Sequence, residues 1–533
     1  MKRIGTITAM LCLCFSIGAQ AQDAASLGPL GRTVLETNLE KNLWFSSENP
    51  SMMSIRPITV YGDVSLDYDY QNGRYKLQQQ GDRVRNISFN AAGAANVKGF
   101  SLWGEFHFNN IFTDSTRFNT NMYDPIEDCM PFYVGDPRMS FWTGQSYEMR
   151  TRIASPFYWK MISFGVDLEY VTQTSGKQID PRGNPFNYHV TVIPSLTFKL
   201  GSHDFVGLNG YYRNRFQRTV SSNRNYSKEQ PVYLLKGLGN FTLGYVGSSG
   251  LGDYYWKGDR YGGGLQYGHE GSMDFLADLQ FYMQKESCFQ NPVIPRPMGS
   301  TSQMFADGNF SLLLGQDKSN KITLEGVYRS TNGIEYVTKY NTDAGVKAWE
   351  ILSTSTYSNY LRMHAKLAYD KFIGGKAGNG YVWKLGADAK FDMEKDEYYS
   401  PSCTFNYMNA TAEVNAKRSL WFGPANIIIG FFGGYKMNFG GEYTYAASDV
   451  ATAVPANVWY PLDLAYYKAN CATFGGDLYF GWKVSSRMEV YATGSCSYNA
   501  AFLPDAVIAP NGTSVGLYGN SRIFAHGAIG ISF

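Results

Sequence analysis

Long stretches in which apolar and polar side chains alternate constrain the fold more than any other feature of the chain. In residues 381–394, Trp383 and Leu385 lie on one face, and Lys384 and Asp388 lie on the other. The same pattern recurs in many segments of the chain. A period of two over ten or more residues is typical of β-strands with one apolar and one polar face. Tilted strands of about 9–11 residues are long enough to cross a bilayer.

Composition excludes two broad classes of protein. The 533 residues carry a net charge of +2, whereas nucleic-acid-binding proteins usually have a strong basic excess. No long apolar run follows the N-terminal region, so the sequence does not predict a helical membrane protein. Charged residues make up 17% of the chain, below the roughly 25% of average soluble domains. A large secreted β protein and a transmembrane β-barrel remain.

The distribution of side chains on the two strand faces favours the barrel over a soluble β-sandwich or solenoid. The polar faces carry closely spaced opposite charges, and the apolar faces carry aromatic residues near their ends. This arrangement is typical of a lipid-facing surface with aromatic girdles around a polar lumen. We therefore predict an all-β protein, a transmembrane antiparallel β-barrel of about 18 strands (16–20). The predicted strands begin near residues 58, 84, 100, 145, 161, 187, 204, 259, 272, 303, 320, 358, 380, 403, 425, 471, 487 and 518.

The connections between the predicted strands alternate between short and long. Short polar or Gly-containing turns are expected at the periplasmic end, and long loops at the outer end. The long connections are predicted at 113–144, 218–258, 286–302, 332–357, 439–470 and 499–517. Residues 231–257, which are rich in Gly and aromatic residues, leave room for one more strand pair. The acidic, Pro-containing loop 113–144 is interpreted either as a gating loop over the pore or as a partner contact.

The N-terminal region predicts export from the cytoplasm. Residues 1–21 combine a short basic start, an apolar stretch and a small-x-small cleavage site, which together indicate a signal peptide. We divide the mature chain into an N-terminal periplasmic or plug segment, residues 22–56, and an outer-membrane barrel, residues 57–533. Five cysteines remain after cleavage, and their spacing does not show which of them pair. They are Cys129, Cys288, Cys403, Cys471 and Cys496.

The segment before the barrel predicts one helix over residues 33–45. Leu35, Leu39 and Leu43 are spaced four residues apart, with Trp44 beside them, so that the helix has an apolar face. Two interpretations remain open. The segment either caps the periplasmic rim of the barrel or enters the lumen as a short plug.

Three features resemble known outer-membrane barrels. Residues 47–51, Ser-Glu-Asn-Pro-Ser, are similar to the Asn-Pro-Ala junction of fatty-acid-transporter-like barrels, from which they depart at Ser51. A last strand that ends in Phe533 resembles the signal read by the barrel assembly machinery. Residues 129–137 and 164–170 resemble uncharacterised outer-membrane barrels of Bacteroidota. That last resemblance implies an accessory role in nutrient uptake, beside a TonB-dependent transporter or a surface lipoprotein.

The polar faces supply the candidate lumen residues, in which acids and bases are mixed. Such a lumen indicates a network of ion pairs. The alternative of a local path for a solute, with acids on the first strand and bases on a distant strand, remains possible. No His pair has metal-ligand spacing and no G-x-S-x-G motif occurs, so neither a metal, a cofactor nor an enzymatic activity is predicted. The candidates are Asp63, Asp67, Glu105, Arg213, Arg215, Arg362, Lys366, Lys384 and Asp388.

We expect such a barrel to lie in the outer membrane of a Gram-negative bacterium, with its outer face in contact with the membrane lipid. Three functions are compatible with the sequence. The first is a channel that admits a polar solute or nutrient. The second is a non-conducting accessory barrel that partners a TonB-dependent transporter or surface lipoprotein. The third is a transporter of hydrophobic ligands, suggested by Asn49 and Pro50 and disfavoured by the polar inner faces.

Overall fold

The computed structural model describes residues 31–120, 131–225, 227–246, 253–315, 317–342, 348–374, 380–517 and 519–533. The predicted signal peptide and Cys129 lie outside these residues. Within them, no helix is both long and apolar enough to cross a membrane.

The strands are numbered here in chain order. They are β1 (Tyr61–Gly73), β2 (Arg83–Val97), β3 (Phe100–Thr116), β4 (Tyr133–Gly135), β5 (Ser140–Ala154), β6 (Ile162–Lys177), β7 (Arg182–Leu200), β8 (Asp204–Ser222), β9 (Gln230–Gly237), β10 (Asn240–Val246), β11 (Asp253–Glu270), β12 (Asp274–Gln290), β13 (Arg296–Leu314), β14 (Asn320–Asn341), β15 (Ala348–Ile373), β16 (Trp383–Tyr398), β17 (Cys403–Phe422), β18 (Ala425–Tyr445), β19 (Asn470–Ser485), β20 (Met488–Phe502), β21 (Ala506–Ile508), β22 (Ser514–Gly516) and β23 (Ser521–Ser532).

Eighteen of these strands form one closed barrel. The short strands β4, β9, β10, β21 and β22 lie outside its wall. Strand β1 pairs antiparallel with both β2 and the last strand β23, so the sheet closes on itself and leaves no edge in the wall. The predicted antiparallel barrel of about 18 strands is confirmed. The predicted strand start that differs most from the structure is residue 358, since the observed strand β15 begins at Ala348.

Alternation along each strand separates an apolar outer face from a polar inner face. On β12, Leu279, Phe281 and Met283 are exposed, whereas Asp278 and Gln280 are buried. Asp278 accepts a hydrogen bond from Ser47 of the N-terminal segment, which identifies its side of the strand as the inner one. The outer surface is therefore apolar and aromatic, as a lipid-facing barrel requires.

Connections are short at one end of the barrel and mostly longer at the other. At the short-turn end, residues 98–99, 201–203 and 486–487 join neighbouring strands. At the long-loop end, two predicted long connections are wrong. Strands β12 and β13 leave only residues 291–295 between them, and β14 and β15 leave only 342–347. Here the strands themselves extend, because exposed polar and β-branched residues continue the hairpin pairing.

The strand pair allowed for in residues 231–257 exists, but it is not part of the wall. Strands β9 and β10 pair with each other, and β9 also pairs with β4. The three strands form a small separate sheet at the long-loop end. A second, two-stranded sheet, β21 and β22, lies in the last connection.

The N-terminal segment is helical and lies at the short-turn end. The predicted single helix over 33–45 is instead two helices, α1 (Arg32–Lys41) and α2 (Leu43–Ser46), which Asn42 separates. A 3₁₀ helix follows over Pro50–Ser54, capped by the Asn49 side chain. A third α-helix, α3 (Tyr460–Lys468), lies in the connection between β18 and β19.

Candidate functional site

Residues 31–56, called the plug below, are fixed to the inner wall by buried polar contacts. Asn49 is fully buried. Its Nδ2 donates to the carbonyls of Leu196 and Leu208 at 3.1 and 3.3 Å and to Gln266 Oε1 at 2.8 Å. Its Oδ1 accepts from the backbone N–H and the hydroxyl of Ser51 at 3.0 and 2.6 Å. One side chain thus joins the start of the 3₁₀ helix to β7, β8 and β11.

Neighbouring plug residues extend this contact. The Ser47 hydroxyl and the Glu48 backbone N–H both donate to Asp278 Oδ2, at 2.7 and 2.9 Å. The Ser51 hydroxyl lies 2.7 Å from Thr197 Oγ1. The five residues that resemble the Asn-Pro-Ala junction are therefore the segment that docks on the wall.

Two wall glycines allow the plug to approach this closely. A Cβ atom at Gly165 on β6 would lie 2.3 Å from the Ser51 nitrogen. A Cβ atom at Gly207 on β8 would lie 2.6 Å from Asn49 Nδ2. Both distances are shorter than any real contact, so the docking site requires glycine at these positions.

Charged groups anchor the plug at its two ends. Arg56 Nη2 lies 2.6 Å from Glu270 Oε1 and 2.8 Å from Asp274 Oδ2. Lys384 Nζ on β16 lies 2.7 Å from the Glu40 carboxylate of α1. In addition, Arg152 donates to the carbonyls of Phe45 and Ser47. The predicted lumen residue Lys384 is thus a plug anchor.

A small apolar cluster lies beneath the plug. Among the predicted plug residues, Leu35, Leu43 and Trp44 are buried, whereas Leu39 is half-buried. The cluster consists of Leu43, Trp44 and Met52 from the plug and Phe205, Leu276 and Leu313 from the wall.

Connections at the long-loop end fold into the barrel mouth as a second closure. The lid, as we call it, comprises the described parts of connections 74–82, 117–139, 223–252 and 446–469. Its core is apolar and aromatic, and it includes wall residues that point inward from the upper strands. Lid residues in this core include Phe118, Phe132, Tyr133, Leu234, Leu238 and Trp459; wall residues include Trp256, Tyr357, Tyr398 and Phe405.

One buried carboxylate joins two connections of the lid directly and a third through the ring of Trp459. Asp463 on α3 accepts from the Gln78 N–H at 2.7 Å and from Trp459 Nε1 at 2.6 Å. Trp459 in turn stacks on Phe118, with ring centroids 5.5 Å apart. Burial raises the pKa of Asp463 to about 7, against the opposing effect of these hydrogen bonds and of the nearby Lys76. The described part of loop 113–144 therefore packs over the mouth.

A polar chamber of about 380 Å³ lies in the lumen above the plug. Glu48 of the plug lines its floor, and charged residues of β5 to β14 line its sides. Two ion pairs occupy part of this wall. Arg150 Nη2 lies 2.7 Å from Asp167 Oδ2, and Arg213 Nη2 lies 3.1 Å from Glu169 Oε2.

The structure distributes the other predicted lumen residues around the barrel rather than bringing them together. Of the nine candidates, Arg213 lines the chamber. Arg362 pairs with Glu394 at 3.1 Å, and Lys366 lies 3.9 Å from Glu325. The rest have these contacts: Asp63 with the Tyr491 hydroxyl, Asp67 with Asn90, Glu105 with His107, Arg215 with Gln217, and Asp388 with Lys390. The acids of β1 and the arginines of β8 therefore do not line a common path through the lumen, which the sequence left as an alternative.

Sequence reasoning missed several chamber residues. Arg260 and Asp307 line the chamber, yet neither was among the candidates. Arg260 lies in a Gly-rich stretch whose alternation is weak, since Gly258 and Gly262 contribute no side chain to the inner face. A signal was present for Asp307, which shares a strand face with Gln303 and Asn309, opposite the apolar Met304 and Phe310.

Histidines and cysteines show no shared site within the described residues. Four inner-face histidines each lie beside one carboxylate: His107 by Glu105, His189 by Glu169, His364 by Asp392 and His526 by Asp69. No group of three or more His, Cys, Asp or Glu side chains in the described part of the chain forms a metal site. Cys288, Cys403, Cys471 and Cys496 are free thiols.

Comparison with protein families places the chain. A family of unknown function, DUF6850, matches residues 50–533. The chain belongs to that family. The resemblance to a barrel family of unknown function is confirmed at this level, and an origin in Bacteroidota stays a prediction. No curated protein matches the chain.

Solved structures with a similar fold include outer-membrane receptors and channels. The ferric preacinetobactin receptor BauA of Acinetobacter baumannii has a TM-score of 0.38 at 8% identity, covering 89% of this chain and 80% of the receptor. A Pseudomonas aeruginosa FadL homologue has a TM-score of 0.31 at 9% identity, covering 96% and 97%. The Pseudomonas putida toluene transporter TodX has a TM-score of 0.30 at 9% identity, covering 96% of each chain. At these scores the likeness adds nothing to the fold already described.

Proposed function

We propose that this protein is a gated barrel of the outer membrane that passes a polar solute. The exposed apolar and aromatic outer face supports a membrane location. Between the plug and the lid, the inner face carries polar and charged side chains.

One observation carries the proposal: two separate elements of the same chain occupy the two ends of a lumen that holds a charged chamber. A barrel that served only as a scaffold has no need of a charged middle section, because burying charged groups is costly. A permanently open pore does not need a docked plug and an aromatic lid. A polar passage with two closures combines both features.

The charged chamber argues against a hydrophobic ligand. Asp278 and Arg150 lie beside the docked segment that resembles the fatty-acid-transporter junction, and that segment itself contributes Glu48 to the chamber. Transfer of an apolar molecule past these groups would strip them of water without replacing their hydrogen bonds. The same docking chemistry therefore serves a different cargo here.

Planar-bilayer conductance tests the proposal. The mature protein is expected to be silent or to open rarely. Deletion of residues 22–56 is expected to raise conductance, because the wall stays closed by the pairing of β1 with β23. A deletion variant that folds, as shown by heat-modifiable gel migration, and remains silent at every potential would contradict the channel.

A reversible lock gives a second test that does not depend on deletion. The hydroxyls of Ser54 in the plug and Ser163 on β6 lie 2.6 Å apart, close enough for a disulfide after Ser54→Cys and Ser163→Cys. Cys129→Ser and Cys496→Ser remove competing thiols. Openings are expected to vanish in the oxidised protein and to return on reduction. The matched control is the single Ser163→Cys variant, which reductant should not change.

The closure at both ends also favours a second candidate, a non-conducting accessory barrel. Such a barrel would act by holding a TonB-dependent transporter or a surface lipoprotein, and it needs no open state. Silence of both the plug-deleted and the reduced lock variants, together with co-purification of one such partner after cross-linking in cells, would favour this function over the channel.

A further inference from the structure

The chamber contains charges that the protein does not pair. Asp167 and Glu169 are neutralised by Arg150 and Arg213. Asp278 accepts four hydrogen bonds, from Ser47, Glu48, Gln266 and Gln280, and needs no further partner. Glu48 lies 3.9 Å from Arg150, and Glu325 lies 3.9 Å from Lys366. After these groups are set aside, the chamber still presents one arginine and one aspartate.

Arg260 on β11 is that arginine. Its Nε donates to Gln284 Oε1 at 2.8 Å, and its guanidinium carbon lies 4.0 Å from the ring centroid of Phe305. Its two terminal nitrogens have no hydrogen-bond or ion-pair partner in the described part of the chain. Stacking on an aromatic ring and one hydrogen bond hold the plane of the guanidinium, and this leaves a fork of N–H groups suited to a carboxylate.

Asp307 on β13 is the aspartate. It lines the chamber, and its Oδ1 is buried without a hydrogen-bond partner among the described residues. No cation of the described residues lies within 4 Å of it. Arg329 and Arg260 act on it only through longer-range electrostatics. An unpartnered buried carboxylate oxygen is costly, so the position favours a bound cationic donor.

The two groups are placed to act on one molecule. Strand β12 separates β11 from β13, and its pairing sets Arg260 level with Gln303, so Asp307 lies four residues farther along β13 and the two backbones are roughly 16 Å apart. The guanidinium of Arg260 stacks on Phe305, which precedes Asp307 by two residues on the same strand face. The long arginine side chain shortens the gap between the charged ends. We propose that the chamber binds a zwitterionic solute, whose carboxylate pairs with Arg260 and whose ammonium pairs with Asp307.

The assignment rests on the proposed function, since it names the class of solute that the gated barrel would pass. The chamber volume of about 380 Å³ lies at the small end of ligand pockets, which suits an amino acid or a dipeptide. A simple anion would leave Asp307 unpaired, and a simple cation would leave Arg260 unpaired. A zwitterion satisfies both.

Equilibrium dialysis of the intact mature protein in detergent tests the inference with three radiolabelled probes. They are alanyl-alanine, its N-acetyl derivative, which lacks the ammonium, and its C-terminal amide, which lacks the carboxylate. Alanyl-alanine is expected to bind at least tenfold more tightly than either blocked form. Long incubation allows the probes to equilibrate past the plug and the lid.

Two single variants separate the roles of the two charges. Arg260→Gln is expected to abolish the preference for alanyl-alanine over its amide and to keep the preference over the acetylated form. Asp307→Asn is expected to do the reverse. Arg83→Gln, which removes a half-exposed arginine paired with Asp114 at the long-loop end, is the matched control and should change neither preference.

The outcomes are distinct from those that test the channel. Equal binding of the three probes, absence of binding, or an Arg260→Gln variant with unchanged preferences overturns the zwitterion site while leaving gated conductance standing. Selective binding with the two expected losses supports the site even if the barrel never conducts, and in that case only the proposed function fails.

Discussion

The plug and the lid lie at opposite ends of one barrel, and they are held by different forces. The plug docks through a fully buried asparagine, serine hydroxyls and ion pairs, and through a small apolar cluster to which the plug and the wall each contribute three side chains. The lid docks through a broad aromatic core in which Phe118, Tyr133 and Trp459 pack on inward-pointing wall residues.

Because the forces differ, the plug and the lid should be released by different perturbations. Hydrogen bonds and ion pairs depend on geometry and can be exchanged for equivalent bonds to water or solute at little net cost. An apolar core has no equivalent partner in water, so its separation costs free energy in proportion to the exposed area. We therefore expect the plug to respond to polar perturbation and the lid to loss of aromatic surface.

The largest expected effect is truncation of the lid core. Trp459→Ala removes a buried indole that stacks on Phe118 and donates to Asp463. Such truncations typically cost about 3–5 kcal/mol. Hydrogen exchange of residues 446–469 should become fast while the exchange of the plug stays unchanged. Trp159→Ala is the control, because that side chain is 79% exposed at the short-turn end. Equal protection of the lid in both variants would show that its core does not hold it.

The next largest effect is expected from a substitution that disturbs the docking of the plug only by adding a Cβ atom to the wall. Gly165→Ala places a Cβ atom 2.3 Å from the Ser51 nitrogen, so the plug must shift or leave, at a cost of about 1–3 kcal/mol. Gly176→Ala on the same strand meets nothing within 4 Å and is the matched control. Exchange of the Ser51 amide should rise in the first variant and not in the second. Unchanged exchange in Gly165→Ala would mean that the docked position tolerates displacement.

These expectations rest on features that the sequence reveals unequally. The wall of 18 strands follows from the period of two, because this pattern is local to each strand and recurs in many segments of the chain. The connections were harder to predict. The sequence predicts a loop over residues 332–357, because both faces of the hairpin beyond the rim are polar or exposed, and this removes the alternation that marks a strand.

The site was harder still, because it depends on which strands become neighbours across the lumen. Alternation correctly places Arg213 on a polar face, but it cannot show that Glu169 neutralises it while Arg260 stays unpaired. Only a family resemblance marks Asn49 in the sequence, because the residues that it contacts lie on β7, β8 and β11, far away along the chain. The split of residues 33–45 at Asn42 is likewise fixed by tertiary contact, since the Asn42 amide donates to the Arg56 carbonyl.

A third perturbation is pH, which should change the docking of the lid in a direction fixed by the pKa of Asp463. The pKa of Asp463 is about 7 in the docked lid and near its ordinary value of about 3.9 when the lid is displaced into water. The docked lid therefore binds the proton more tightly, so docking is strongest at low pH and weakens as the pH rises towards 7. The opening equilibrium should increase by up to about tenfold per pH unit in that window and level off above it.

Hydrogen exchange of the lid, corrected for the intrinsic pH dependence of exchange, measures this effect. Asp463→Asn should remove the dependence, because the amide side chain does not take up a proton in this range. Asp449→Asn in the same connection is the control, since Asp449 is exposed and contacts the Tyr445 hydroxyl. A pH profile that persists in Asp463→Asn would assign the titration to another group.

The smallest expected effect concerns the ionic anchors of the plug. Lys384→Gln removes the partner of Glu40, a pair that is only partly buried, and we expect a loss of about 0.5–1 kcal/mol in plug docking. Salt at about 1 M, where the screening length falls to about 3 Å, should reproduce part of that loss in the unmodified protein and leave the lid unaffected. Lys395→Gln on the same strand is the control, because the Lys395–Glu397 pair is exposed at the long-loop end. Exchange of the plug amides in the four combinations of variant and salt measures the effect. If salt loosens Lys384→Gln as much as the unmodified protein, the remaining anchors Arg56 and Arg152 carry the ionic contribution, and the plug is held from its docking segment rather than from α1.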